Sequence, residues 1–492
     1  WRKHVIEVEK INFCWADPVA DLIKWGLTEE SRPVVFKQKL FWAFTVISFL
    51  MWLPLLIQQV QPGLLTVPPE LPGSAAWVGY PYGGSVNLIP YTGAYLPDAY
   101  LFINWNPQAV AIWYFFPLDV LQTIWMGMFL LYVIAPPIMV SMGIIPDVSM
   151  LGEREVYEAV GCDYGPRWML TFTWGGFLGL GFVYILYHWR QLLGFLKQIA
   201  KPTKPEPGDI SVRTAWIGLG ICGIILIALL VSYGVPAWLI IPGLIFAGFY
   251  FWSYILMRGY SGSWALAWSG LQGSSWFTIP YWENYRNKDA AMAYSFGSFM
   301  TNDAPCITAS TSGSVMYAFK LGFNLNTRPK DIAIACGIGL ALSIALTGPL
   351  WLWESWAVGI KGWYNSGVHD FYTTGPAAAG AFNITHMSEL MIRMIIGAII
   401  QGIIYMLYMR FPWFWVNPFA LAQGLMYDIG GGFMWFSFFL AWVIKYMVLR
   451  IGGTKLYQRT LPIFSGLATG FCLLSIITGI YVTAFWIGQG IH

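Results

Sequence analysis

The sequence predicts an all-α fold, a polytopic transmembrane helix bundle. Three observations carry that expectation. Of 492 residues, 57% are hydrophobic and only 10% are charged, where a soluble domain carries about a quarter charged residues. Apolar runs of about 20 residues, enough for a helix to cross a bilayer, recur along the whole chain. Lys and Arg fall in short groups beside those runs, where they report topology. They form no basic stripe of the kind that grips nucleic acid, so the expected partner is the lipid bilayer and no nucleic acid is expected. The pattern predicts about 9–13 crossings. It divides the chain into a cytoplasmic-side segment 1–39, a membrane region 40–330 and a C-terminal membrane region 331–492.

Each element follows from charge and length. Arg32, Lys37 and Lys39 precede the first apolar run, 40–58, which sets the N-terminus inside. The segment 61–107 has no Lys or Arg and reads as an outer loop. The segment 188–213, with Arg190, Lys197, Lys201, Lys204 and Arg213, reads as an inner linker. Its beginning, "HWRQLLGFLKQIAK", reads as an amphipathic helix on the inner membrane surface. "KPTKPEPGD", 201–209, is the best interior linker.

Between those two loops the chain must cross an odd number of times. With 168–187 as one crossing, 108–145 has to start and end on one side. It reads as a hairpin or re-entrant pair broken at Pro117, Pro136 and Pro137. Further runs lie at 214–233 and 236–257. Arg258 and the Arg328/Lys330 pair both read as inside, so 264–320 returns to its own side. The run 331–353 leads to a second outer loop, 354–388, with the sequon Asn383-Ile384-Thr385. After 390–409, a hairpin of 412–427 and 431–449 turns at "YDIGGG", and 461–486 leaves the C-terminus outside. Broken or re-entrant segments are thus expected near 108–145, 264–320 and 412–432. Gly175-x-x-x-Gly179 and Gly466-x-x-x-Gly470 place small residues one turn apart for close packing within the chain.

Familiar chemistry is missing. There is no phosphate-binding G-x-x-x-x-G-K-[ST], no H-E-x-x-H and no G-x-S-x-G, and the six cysteines form no C-x-x-C. The five histidines, 4, 188, 369, 386 and 492, look too scattered for a di-haem core. His386 and Glu389 read as a surface helix cap. No cofactor or metal centre is expected, and the chain does not read as an enzyme. A paired-carboxylate protease would need Asp119 and Asp428 to meet.

The polar groups at membrane depth remain, since such groups face cavities or pair with one another. Asp119 follows Pro117 by two residues, in the first turn after a break, where a helix dipole favours a carboxylate. Broken helices at membrane depth also build transporter sites. Asn302 and Asp303 precede Pro305 in a second break. Asn417, before Pro418, and Asp428, before three glycines, bound a third. Gln401, in 390–409, reads as an interhelical hydrogen bond. Arg393 reads as the ion-pair partner of Glu389, and Lys445 as a side chain that snorkels to the inner face.

"WFSFFLAWVIKYMVLRIGGTKLYQRTLPIFSGLATG", 435–470, resembles the C-terminal signature of a prokaryotic membrane-protein family related to the oligopeptide transporter superfamily. Trp442, Lys445, Arg450, Gly452, Gly453, Lys455 and Tyr457 stand at the positions of that pattern. "FFPLDVLQTIW", 115–125, resembles its Pro-Leu-Asp segment. "PGDISVRTAWIGLGICG" and "FWSYILMRGYSG" resemble its middle. The resemblance implies proton-coupled movement of peptides or metal chelates. It also implies further N-terminal helices, absent ahead of Trp1, which a partner chain is one way to supply. A homo-oligomer stays open. The main expectation is a proton-coupled secondary transporter of a small-molecule substrate, with Asp119 as coupling group. The alternative is a non-transporting scaffold subunit that keeps a transporter-like fold.

Overall fold

The computed structural model describes residues 1–11, 38–60, 84–99, 101–105, 107–143, 168–202, 207–232, 237–261, 304–358, 387–424 and 435–489, with a few single residues besides. Asn302, Asp303 and Asp428 lie outside the described residues.

The fold is all-α. In chain order, α1 is Lys39–Val60, and a two-stranded ribbon pairs β1, Gly84–Asn87, with β2, Phe102–Trp105. Next come α2, Pro107–Trp113, α3, Leu118–Phe129, and α4, Ala135–Ser141. A long span, α5 (Trp168–Tyr187), turns at His188 into α6 (Trp189–Ala200). Then follow α7 (Val212–Ser232), α8 (Ala237–Ser261), α9 (Ala304–Asn324), α10 (Pro329–Val358) and α11 (Met387–Arg410). The chain closes with α12 (Pro418–Gly424) and α13 (Trp435–Gln489). Among the described residues, five helical stretches are long and apolar enough to cross a membrane: 118–141, 212–232, 329–347, 392–410 and 435–481.

Lipid is the solvent that makes these helices intelligible. In α7 no residue is buried by protein, and Leu219 and Ile224 are 62% and 69% exposed. A helix apolar on every face is stable where its surroundings are also apolar. The surface helix α6 behaves differently. Trp189, Leu193 and Leu196 repeat at helical spacing and are all exposed, with Arg190 and Lys197 among them. That is the amphipathic helix expected at 188–201.

The chain forms two compact units: residues 1–20 with 170–414, and residues 21–169 with 415–492. This partition interleaves the two halves of the sequence, whereas charge and loops suggest a division at 330. Close helix contacts occur inside each unit. In the first, Gly175 and Gly179 of α5 lie against Met394 and Ala398 of α11; in the second, Gly466 and Gly470 of α13 lie against Phe41 and Thr45 of α1. Both small-residue motifs therefore pack within the chain.

One expected break is corrected. Pro136 and Pro137 do not end the 118–141 helix. The π-helical turn Leu130–Ile134 joins α3 to α4, and the prolines fall in the first turn of α4. Their missing N–H groups matter least at that place, and the wider turn absorbs the ring. Pro117 does break the chain, with φ −55° and ψ 150° just before α3. The two helices expected over 431–449 and 461–486 lie within Trp435–Gln489 and meet at a kink at Gly453, where φ 59° and ψ −157° require a glycine.

Candidate functional site at the Asp119–Asn417 junction

The break at Pro117 leaves two sets of backbone groups to satisfy. Upstream, the last carbonyls of α2 have no helical donor, as at any helix end, and Pro117 offers no N–H. Lys445 of α13 fills the gap. Its ammonium donates to the carbonyls of Tyr114 at 3.0 Å and Phe116 at 2.5 Å. It also lies 4.8 Å from the Tyr457 ring centroid, a cation–π distance. The Tyr114 ring stacks on Phe464, with centroids 3.8 Å apart, and its hydroxyl is 2.7 Å from Thr460 Oγ1. Trp113 stacks on Phe438 at 3.6 Å. The end of α2 is thereby fixed to α13. Lys445 is 6% exposed, so it does not snorkel. It caps a broken helix.

Downstream, α3 begins and its positive dipole end meets Asp119 in the first turn. The carboxylate does not cap its own helix. Its Oδ2 accepts a hydrogen bond from Asn417 Nδ2 at 3.1 Å. Asn417 caps α12: its Oδ1 accepts from the backbone N–H groups of Phe419 at 3.0 Å and Ala420 at 3.2 Å. Those donors fix which end of the amide is oxygen, so its NH₂ must face Asp119. Thr123, one turn along α3, closes the junction. Its hydroxyl donates to the Asp119 carbonyl at 2.8 Å and accepts from the Asn417 N–H at 3.1 Å.

Two of the three broken segments, at 117 and 417, therefore meet through Asp119 and Asn417. Asp119 is half-buried and Asn417 is buried. Among the described residues, Oδ2 of Asp119 is engaged by the side-chain hydrogen bond from Asn417. Gln401 is buried on α11 of the first unit, beside Gly176 of α5. Thr123 and Lys445 were not among the candidates. Thr123 stands at i+4 from Asp119, on the same helix face. Lys445 is a charge inside an apolar run, the same signal that singles out Asp119.

Fold and site together define a membrane-embedded helical protein with broken helices joined by a carboxylate–amide contact. The chain belongs to a family of unknown function, DUF6785, whose model matches residues 2–490. No curated protein matches it significantly.

Proposed function

We propose that the protein is a proton-coupled secondary transporter of small solutes, such as peptides or metal chelates, and that Asp119 is its coupling carboxylate. The observation that supports this reading is the meeting of two broken helices at Asp119 and Asn417. Discontinuous helices at membrane depth are how many transporters place a polar group on a substrate or ion path. The Asn417 amide donates to either protonation state of Asp119, so the junction can survive loading and release of a proton by that carboxylate. The oligopeptide-transporter likeness of 115–125 and 435–470 points the same way. In this reading the N-terminus is inside and the C-terminus outside, following the Lys and Arg pattern.

The test is proton flux into proteoliposomes with a peptide mixture added, for wild type and Asp119→Asn. Substrate-dependent flux is expected in the wild type and is expected to vanish in Asp119→Asn, with the mutant still monodisperse. A mutant that keeps full proton-driven uptake removes Asp119 from the mechanism. A second reading, a scaffold subunit of a larger assembly, has its own support: Asn417 is engaged through both ends of its amide and its backbone N–H, as a structural joint would be. Absence of flux from both proteins, with and without partner chains, favours that reading.

A further inference from the structure

The first unit holds a polar cluster that neither reading uses. The N-terminal residues form a π-helical turn, His4–Val8, followed by Glu9. The turn presents His4 and Glu9 to His188, the residue at the corner between α5 and α6. His4 Nε2 lies 2.9 Å from Glu9 Oε1, and His188 Nε2 lies 3.0 Å from the same oxygen. The three side chains are 6%, 12% and 10% exposed. One imidazole nitrogen, one carboxylate oxygen and a second imidazole nitrogen all lie within 4.8 Å of one another. Tyr184, one turn before the corner, donates its hydroxyl to Glu9 Oε2 at 2.8 Å.

Hydrogen bonding accounts for only part of this arrangement. His4 pairs with Glu9. His188 Nε2 approaches the same oxygen at ion-pair distance, 3.0 Å. Two largely buried imidazoles that converge on one carboxylate oxygen form an arrangement that calls for an explanation. A cation between the three atoms supplies one.

We propose that His4, Glu9 and His188 bind a divalent transition metal ion of the zinc type. Two imidazoles and one carboxylate are a donor set that zinc accepts, with a fourth position left open. Nitrogen donors disfavour calcium and magnesium, which take oxygen ligands. Metal–ligand bonds of about 2.0–2.2 Å set tetrahedral ligand atoms roughly 3.3 Å apart. The 2.9 and 3.0 Å contacts therefore open slightly on binding, while the two imidazole nitrogens, within 4.8 Å of each other, draw together. Neutral imidazole and ionised carboxylate are the forms that take a metal. Tyr184 orients the carboxylate from its other oxygen, as the outer partners of metal ligands do. The bound ion would clamp residues 1–11 to the α5–α6 corner.

The experiment uses the full chain in detergent, loaded with Zn²⁺, desalted and assayed for metal per chain by mass spectrometry. Wild type is expected to retain one zinc more per chain than His4→Gln/His188→Gln. Tyr184→Phe is expected to weaken zinc affinity about 10–100-fold. Co²⁺ loading of the wild type is expected to give the intense visible bands of a four-coordinate ion. Equal zinc in wild type and double variant overturns the site. So does a wild-type Co²⁺ spectrum with only weak six-coordinate bands, a reading that needs no variant to fold.

Discussion

An ammonium group in a membrane helix either reaches the interface along its stem or finds acceptors at depth. Lys445 takes the second course, and its two acceptors are carbonyls freed by Pro117, 328 residues earlier in the chain. Removing it strands both. Lys445→Met keeps the length and apolar stem and should lower stability by about 1–3 kcal/mol, the cost of unsatisfied buried carbonyls, with part offset by no longer burying a charge. Thermal loss of the monodisperse peak should come at lower temperature than in wild type; an unchanged or higher temperature would mean that the charge burial dominates. The residue scale also marks where the sequence could be read. Asp119 stands out because a charge in an apolar run is visible without a fold. Its partner Asn417 was a candidate for its place before Pro418, but their pairing spans 298 residues and no local pattern encodes it. His4 and His188 look scattered for the same reason: what unites them is a π-helical turn and a helix corner, neither of which has a residue period of its own.

At the scale of elements, the reading of helices from apolar runs was sound, because a bilayer demands about 20 apolar residues whatever they pack against. The starts of α1, α5, α8 and α10 fall within two residues of the expected runs. Proline was the weaker guide. It breaks the chain at 117 and not at 136–137, which follow a π-helical turn, nor at Pro54 and Pro349, which lie inside α1 and α10. Glycine separates two kinds of helix. Gly179 of α5 has no room for a methyl, which would sit 2.6 Å from Ala398 Cα and 2.9 Å from its carbonyl oxygen on α11. Gly220 of α7 has nothing within 4 Å. Gly179→Ala should therefore destabilise by about 1–3 kcal/mol through overpacking. Gly220→Ala should leave stability equal or raise it by up to about 1 kcal/mol through helix propensity. Thermal melts of the two single variants beside wild type check the pair; equal losses in both would show that α5 and α11 do not pack as described.

At the scale of the whole molecule, the unresolved tension is between charge and helix count. Segment 61–107 has no Lys or Arg and 188–213 has five, so the positive-inside rule sets them on opposite sides. That arrangement needs an odd number of crossings between them. Among the described residues, the stretch between those loops holds one helix of full spanning length, 118–141, and the apolar α5, which alone make an even number. The seven-residue α2, about 10 Å long, is too short to add a crossing but ends at the Pro117 break, where a re-entrant path would turn. Cysteine labelling decides which constraint governs. Tyr95, 85% exposed between β1 and β2, and Pro205, exposed in the linker after α6, are suitable positions. Tyr95→Cys should react with a membrane-impermeant maleimide in intact cells. Pro205→Cys should react only after permeabilisation, with the unsubstituted chain as control for its native cysteines. Labelling of both from one side would mean that 118–141 and α5 are ordinary successive crossings. The Pro117 break would then be a kink at the membrane edge, and Asp119 would lie too near water for a coupling carboxylate. Labelling from opposite sides places the α2–α3 break within the bilayer, where the Asp119–Asn417 contact and the Lys445 cap are needed to satisfy groups that water cannot reach.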